Sequence, residues 1–109
     1  MAIKIVLSNL VKFRVRGEIN DENGNKQAVD FSLTCERHPA DEWPKIFVEG
    51  EKLSQGFAKI TKDWGDVLDE KGQPVPYSAE ALDQLFSIPG VAQLTYVAYA
   101  TESGVKAKN

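Results

Sequence analysis

Residues 12–35 read KFRVRGEINDENGNKQAVDFSLTC, with a period-two alternation at each end. From Lys12 to Ile19 the apolar set is Phe13, Val15 and, past Gly17, Ile19, while Lys12, Arg14, Arg16 and Glu18 are polar. From Gln27 to Cys35 the pattern recurs, with Val29, Phe31, Leu33 and Cys35 on one side and Asp30, Ser32 and Thr34 on the other. Each run predicts a half-buried strand, and the polar NDENGNK between them predicts a hairpin. Side-chain direction decides the turn. A two-residue Asn23-Gly24 loop sets Arg16 opposite Phe31 and splits the apolar sets between the two faces of the ribbon. A three-residue loop, Glu22-Asn23-Gly24, sets Val15 opposite Phe31 and Phe13 opposite Leu33, with Gly24 in the left-handed bulge position. The three-residue loop is therefore expected. Ile3 to Leu7 also alternates, as a third strand or as the start of the first.

After ERHPADEWP the period changes. Leu53, Phe57, Ile60 and Trp64 recur at spacings of four, three and four, one face of a helix, with Lys52, Gln55, Lys59 and Lys62 off that face. Gly50 and Gly56 weaken that pattern, and a strand through Phe57 and Ile60 is the competing reading. DEKGQPVP (69–76) has turn chemistry, since its prolines fit neither a helix interior nor a central strand. Ser78 is placed to cap a helix with Glu80 in its first turn and Leu82, Leu85 and Phe86 along it. Pro89 suits the first turn of a last helix carrying Val91, Leu94, Thr95, Tyr96, Val97, Ala98 and Tyr99 and ending near Glu102. The fold class expected is α+β: an N-terminal antiparallel β-hairpin or small meander followed by about three α-helices. It forms one domain over residues 1–103, with a flexible polar tail, 104–109.

The 109-residue length suits one hydrophobic core. A formal charge of −3 gives the chain no electrostatic reason to seek a polyanion, so no nucleic-acid partner is expected. Cys35 is the one cysteine, so an intrachain disulfide is ruled out and a cytosolic setting is the simpler expectation. Lys4, Asn9 and Lys12 interrupt the apolar N-terminus before any signal core or span is complete, and no membrane role is expected.

Two acidic loops invite a metal reading. Asp63, Asp66, Asp69 and Glu70 lack the alternate spacing and the closing Glu of a calcium loop. Asp21, Asn23 and Asn25 do alternate, yet Lys26 stands where glycine is required and Ser32 where Glu is. Solvated polar turns are the better reading of both, and no metal is expected. Cys35 and His38 lack further soft ligands for zinc, and an orienting third group for nucleophilic catalysis. Cys35 belongs to its strand's apolar set, so a buried thiol beside a surface histidine is expected. No motif nominates an enzyme or a cofactor. Lys12, Arg14 and Arg16 form a basic stripe with Arg37 near it, either a solvated face that discourages edge aggregation or a candidate docking face for an acidic partner or another copy. Trp43, Trp64, Tyr77, Tyr96 and Tyr99 suggest protein binding, because Trp and Tyr combine apolar area with a polar handle. Trp64 is expected in the core, and at least one of Tyr96 and Tyr99 is expected to look outward.

The run KDWGDVLDEKGQPVPYSAEALDQLFSIPGVAQLTYVAY, residues 62–99, resembles a pattern of tail assembly chaperones from long-tailed bacteriophages and prophages. In that pattern a tryptophan opens W-x-x-V-x-D-E-x-G-x-P-x-P, a Tyr or Phe with Ser starts a helix, a Leu-rich turn ends near a proline, and a last helix ends in A-Y. The matching positions are Trp64, Val67, Asp69, Glu70, Gly72, Pro74, Pro76, Tyr77, Ser78, Leu82, Leu85, Pro89, Ala98 and Tyr99. The N-terminal half matches only as a hairpin of the right sort.

The resemblance implies a non-enzymatic protein of the host bacterial cytoplasm that binds the helical tape-measure protein, keeps it soluble and helps recruit the tail-tube protein. The alternative is a structural tail or head-to-tail joining protein retained in the virion. Candidate partner-binding residues, which match or flank the pattern, are Trp64, Val67, Tyr77, Leu82, Phe86, Tyr96 and Tyr99. A homo-oligomer and a frameshifted longer form of the chain are further expected partners. Ala107-Lys108-Asn109 is encodable by GCA-AAA-AAC, which contains the slippery heptamer A-AAA-AAC, so the gene around its stop codon tests the frameshift.

Overall fold

A computed structural model of the chain describes residues 2, 3, 5 and 8–104. The hairpin consists of β1 (Leu10–Asn20) and β2 (Lys26–Glu36), antiparallel, with Phe13 opposite Leu33 and Val15 opposite Phe31. This is the register of the three-residue loop. The Asp21 N–H donates to the Asn25 carbonyl at 2.8 Å, the Gly24 N–H donates to the Asp21 carbonyl at 3.1 Å, and Gly24 takes φ +79°. The Asp21 carboxylate accepts from the N–H groups of Asn23 and Asn25, both at 2.9 Å, so the turn's inward donors are satisfied by its own first residue.

Past β2, a 3-10 turn at Ala40–Glu42 runs into the short helix α1 (Trp43–Ile46), which the sequence pattern did not predict. Helix α2 (Leu53–Ile60) follows and stops sooner than its apolar spacing suggests. Residues Thr61–Gly65 form β3, antiparallel to β2, completing a sheet of order β1-β2-β3. Trp64 therefore lies on a strand opposite Leu33, not on a helix face. The cause is a β-bulge. Thr34 pairs with Asp63 but Cys35 pairs with Thr61, which leaves Lys62 as the extra residue. The bulge lets Thr61 and Trp64 both turn into the core at a spacing of three, so the strand continues the periodicity of the helix before it. The third strand is thus β3. Of the alternating stretch at residues 3–7, residues 4, 6 and 7 lie outside the described residues, and β1 begins at Leu10.

Helix α3 (Ala79–Phe86) is capped as expected, with Ser78 Oγ accepting from the Ala81 N–H at 3.0 Å. Helix α4 (Val91–Glu102) starts two residues past the position that would put Pro89 in its first turn. Gly90, at φ +89°, is the residue before the helix, and Pro89 belongs to the corner. The helices lie on one face of the sheet, the two-layer arrangement that buries one side of each element. Val11, Phe13, Val15, Phe31, Leu33 and Cys35 from the sheet meet Ile46, Phe57, Ile60, Leu82, Val91 and Tyr99 from the helices. Gly17 permits the close approach of α4 to β1: a Cβ there would lie 2.7 Å from Leu94 Cδ2.

Candidate functional site

The connector of residues 67–75 repeats the turn of the first hairpin. Leu68 bridges to Pro74, the Asp69 N–H donates to the Gln73 carbonyl at 2.9 Å, and the Val75 N–H donates to the Val67 carbonyl at 2.8 Å. Gly72 takes φ +77°, and the Asp69 carboxylate accepts from the N–H groups of Lys71 at 2.8 Å and Gln73 at 3.0 Å. The sequences are Asp-Glu-Asn-Gly-Asn at 21–25 and Asp-Glu-Lys-Gly-Gln at 69–73, so one pentapeptide grammar builds both loops. The leading aspartate, which resembles a cation ligand in the sequence, caps backbone N–H groups in each.

Two contacts fasten this connector. The Trp64 indole N–H donates to the Val75 carbonyl at 2.7 Å, with the Tyr77 ring edge-on to it at 5.3 Å. On the outer face of the sheet the Arg14 guanidinium reaches across β2 to Asp30 at 2.8 Å and Asp66 at 2.9 Å. Hydrogen bonds that Arg14 donates to Asp30 and then to Asp66 hold its charge in place and raise its pKa. Asp66 has φ +63°, a left-handed conformation that aspartate tolerates better than most residues. The chain turns there from β3 into the small hairpin, so Arg14 acts as a clamp on that corner.

The clamped connector forms one wall of an apolar groove. Beyond the helices the inner face of the first hairpin continues with Ile19 and Val29, both half-buried, which form the floor. Val91 and Leu94 of α4 stand on one side, with Leu85 and Ile88 from the α3–α4 corner. Val67 and Leu68 stand on the other. The groove consists of two adjoining depressions of about 290 and 260 Å³ that share Ile19, Val29 and Val91. Leu68 is 57% exposed and Ile88 38%, so the rim is apolar and open to solvent. Glu18, Asp30 and Asp66 also line the two depressions, so the apolar floor is flanked by carboxylates.

The sequence-predicted partner-binding residues divide. Val67 lines the groove. Leu82 and Tyr99 are fully buried and Trp64 is 9% exposed, so all three are core residues and not contact residues. The Tyr99 hydroxyl donates to the Glu36 carbonyl at 2.9 Å, and burial raises its pKa. Tyr96 does not look outward either: it is half-buried, edge-on to Phe47 at 5.1 Å and to Trp43 at 6.2 Å. Phe86 packs on Phe57 at 5.5 Å, and Tyr77 on Trp64. Aromatic enrichment signalled packing here, since α1 brings Trp43 and Phe47 onto the last helix. Of the basic stripe, Lys12 and Arg16 are solvent-facing while Arg14 is the clamp. Ile19, Val29, Leu68, Leu85, Ile88 and Leu94 were not among the candidate partner-binding residues. For Leu68 the signal was the repeated Asp-Glu-x-Gly turn, which marks residues 67–75 as a hairpin.

Cys35 Sγ faces the core 3.4 Å from Thr61 Oγ1, and burial pushes its thiol up to about 11, far from nucleophilic at neutral pH. His38 lies between Glu42 at 3.2 Å and Glu36 at 3.4 Å and is partly buried. Compared with protein-family models, curated proteins and solved structures, the chain matches none.

Proposed function

We propose that the chain is a phage or prophage tail assembly chaperone that holds amphipathic helical stretches of a tape-measure protein in the groove and aids tail-tube assembly in the host cytoplasm, without catalysis. One observation carries the reading. Three positions of the segment that resembles the chaperone pattern, Val67, Leu85 and Pro89, line the groove wall and corner. Such a groove takes apolar residues at helical spacing, and weak capture repeated along a long helical partner gains strength from multiple copies.

The test is co-purification with the tape-measure protein encoded by a neighbouring gene. Wild type is expected to capture it, and Leu68→Glu/Ile88→Glu to weaken capture by at least about tenfold, because each carboxylate would be buried unpaired in the complex. Both positions are solvent-open, so the thermal midpoint should move little. Absence of capture by the wild type, or equal capture by the variant, refutes the proposal. Mass spectrometry of mature tails separates a chaperone, which is absent from them, from a structural tail or joining protein.

A further inference from the structure

Strand β1 is the first in the order β1-β2-β3 and, among the described residues, has no strand on its other side. Which of its backbone groups are open follows from the register. The Arg37 N–H donates to the Asn9 carbonyl and the Asp21 N–H to the Asn25 carbonyl, so the directly bonded positions are the odd-numbered ones. Bonded and non-bonded positions alternate in an antiparallel ladder. The N–H and C=O groups of Lys12, Arg14, Arg16 and Glu18 therefore point away from β2, along the free edge.

This edge opens onto a groove of about 490 Å³ between β1 and α4, lined by Lys12, Phe13, Arg14 and Arg16 on the strand side and by Leu94, Val97, Ala98 and Glu102 on the helix side, three cations to one carboxylate. Val97 is 60% exposed. A strand added here would lay one row of side chains beside the basic stripe and the other beside α4. The charges on the stripe are incompletely matched. Arg14 is held by two aspartates, but Arg16 reaches Asp30 only at 3.8 Å, and Lys12 has no carboxylate within bridging distance among the described residues.

We infer that the free edge of β1 is a strand-addition site for an extended partner segment in which acidic and apolar residues alternate. The acidic row lies opposite Lys12 and Arg16, and the apolar row covers Val97. A second copy paired about the middle of the stripe is disfavoured; the register centred on Gly17, which sets Arg16 opposite Glu18, is the one that the sedimentation arm of the test rules out. Two-fold antiparallel pairing keeps opposite residues on one face, so a pairing centred on Arg14, Val15 or Arg16 sets Arg14 against Arg14, Arg14 against Arg16, or Arg16 against Arg16. Like charges directly opposite disfavour each of these, whereas carboxylates favour the acidic strand. The site is on the far side of β1 from the first hairpin's partner strand and does not depend on the tape-measure reading.

The test titrates the full chain with a short blocked peptide alternating Glu and Val, with a Lys/Val peptide as control, and follows amide hydrogen exchange. The Glu/Val peptide is expected to bind and the control not to bind. Exchange at Lys12, Arg14, Arg16 and Glu18 should slow by on the order of tenfold, in alternation with unchanged neighbours. Lys12→Glu/Arg16→Glu should weaken binding by about tenfold or more. Arg16→Pro removes an N–H that β2 does not use and should weaken binding more than Arg16→Gln, which removes the charge alone. The charge-reversal arm decides on its own if the proline variant does not fold. Protection elsewhere in the chain, equal loss in the proline and glutamine variants, failure of the Glu/Val peptide to bind, or a β1-paired dimer in sedimentation without peptide overturns the inference.

Discussion

Gly56→Ala sets two physical effects against each other, and the structure determines the sign. In an ordinary helix interior, alanine is better than glycine by about 1 kcal/mol, so sequence propensity predicts a more stable protein. Gly56 lies within α2, but against α1: a Cβ there would lie 2.5 Å from Phe47 Cδ1 and 3.0 Å from the Ile46 carbonyl oxygen. The Phe47 ring has little room to yield. It packs on Phe57 at 4.9 Å, Tyr96 at 5.1 Å and Tyr99 at 6.2 Å, and the Ile46 carbonyl accepts from Lys59 Nζ at 3.2 Å. Overpacking a site of this kind costs roughly 1–3 kcal/mol. Taking about 2 for the clash and about 1 for the propensity gain leaves a net loss of about 1 kcal/mol. A loss of that size lowers the thermal midpoint by about 4–8 °C in a chain near this length. Thermal unfolding followed by circular dichroism measures it. The double variant Phe47→Leu/Gly56→Ala removes the nearest ring atoms and should recover part of the loss, giving a coupling of opposite sign to the single costs. A midpoint that rises in Gly56→Ala would refute the reasoning, because it would show that α1 is not held closely against α2.

Two further outcomes follow from contacts already described. Trp64→Phe keeps most of the ring but removes the donor to the Val75 carbonyl, and should cost about 1 kcal/mol in urea unfolding; an unchanged midpoint would mean that this bond does not tie the connector to β3. Acid should loosen the first hairpin, because the Gln27 side-chain amide and then the N–H groups of Asn23 and Asn25 bond the charged Asp21 carboxylate and hold its pKa below the usual aspartate range. A depressed folded pKa contributes stability that is present above the unfolded value, about 4, and is lost as pH falls through the folded one. Asp21→Asn keeps an acceptor oxygen but does not titrate there, and should flatten part of that pH dependence in a series of melts. Glu36 contributes in the same sense, held low first by His38 and then by Lys62.

The first hairpin was legible because two independent signals agreed. The period-two pattern demanded one face for Val15 and Phe31, and only the loop with Gly24 at its left-handed position satisfied it. Ser78 was legible for a similar reason, since its cap is a local interaction. Strand β3 was not, because a bulge shifts side-chain direction by one residue, and Lys62 made the spacing from Ile60 to Trp64 read as helical. The helix at Trp43–Ile46 has too few residues to show a period. The groove was hidden for a different reason. Its floor and walls come from β1, β2, the 67–75 hairpin and the α3–α4 corner, so no single window of sequence contains it. Aromatic residues drew attention to Tyr96 and Tyr99 instead, although Tyr99 is fully buried among Phe13, Trp43, Phe47 and Phe57.

The repeated turn connects the acidic loops to that groove. In a three-residue loop with a left-handed glycine, the N–H groups two and four residues past the first position point inward, and a carboxylate at the first position satisfies both. In the Asp69–Gln73 turn, four hydrogen bonds are made within five residues, two of them to the carboxylate. A loop closed this way has little slack, and β3 and the Arg14 clamp fix where it starts. Leu68 is therefore held out at the groove rim opposite Ile88, rather than free to collapse onto the apolar floor. A capture surface must stay open in the free protein, and apolar residues close over one another unless the backbone prevents it. Acidic turn residues in this chain thus serve an apolar purpose: Asp69 caps the loop, and the loop fixes Val67 and Leu68 at the groove, where the proposed function would use them.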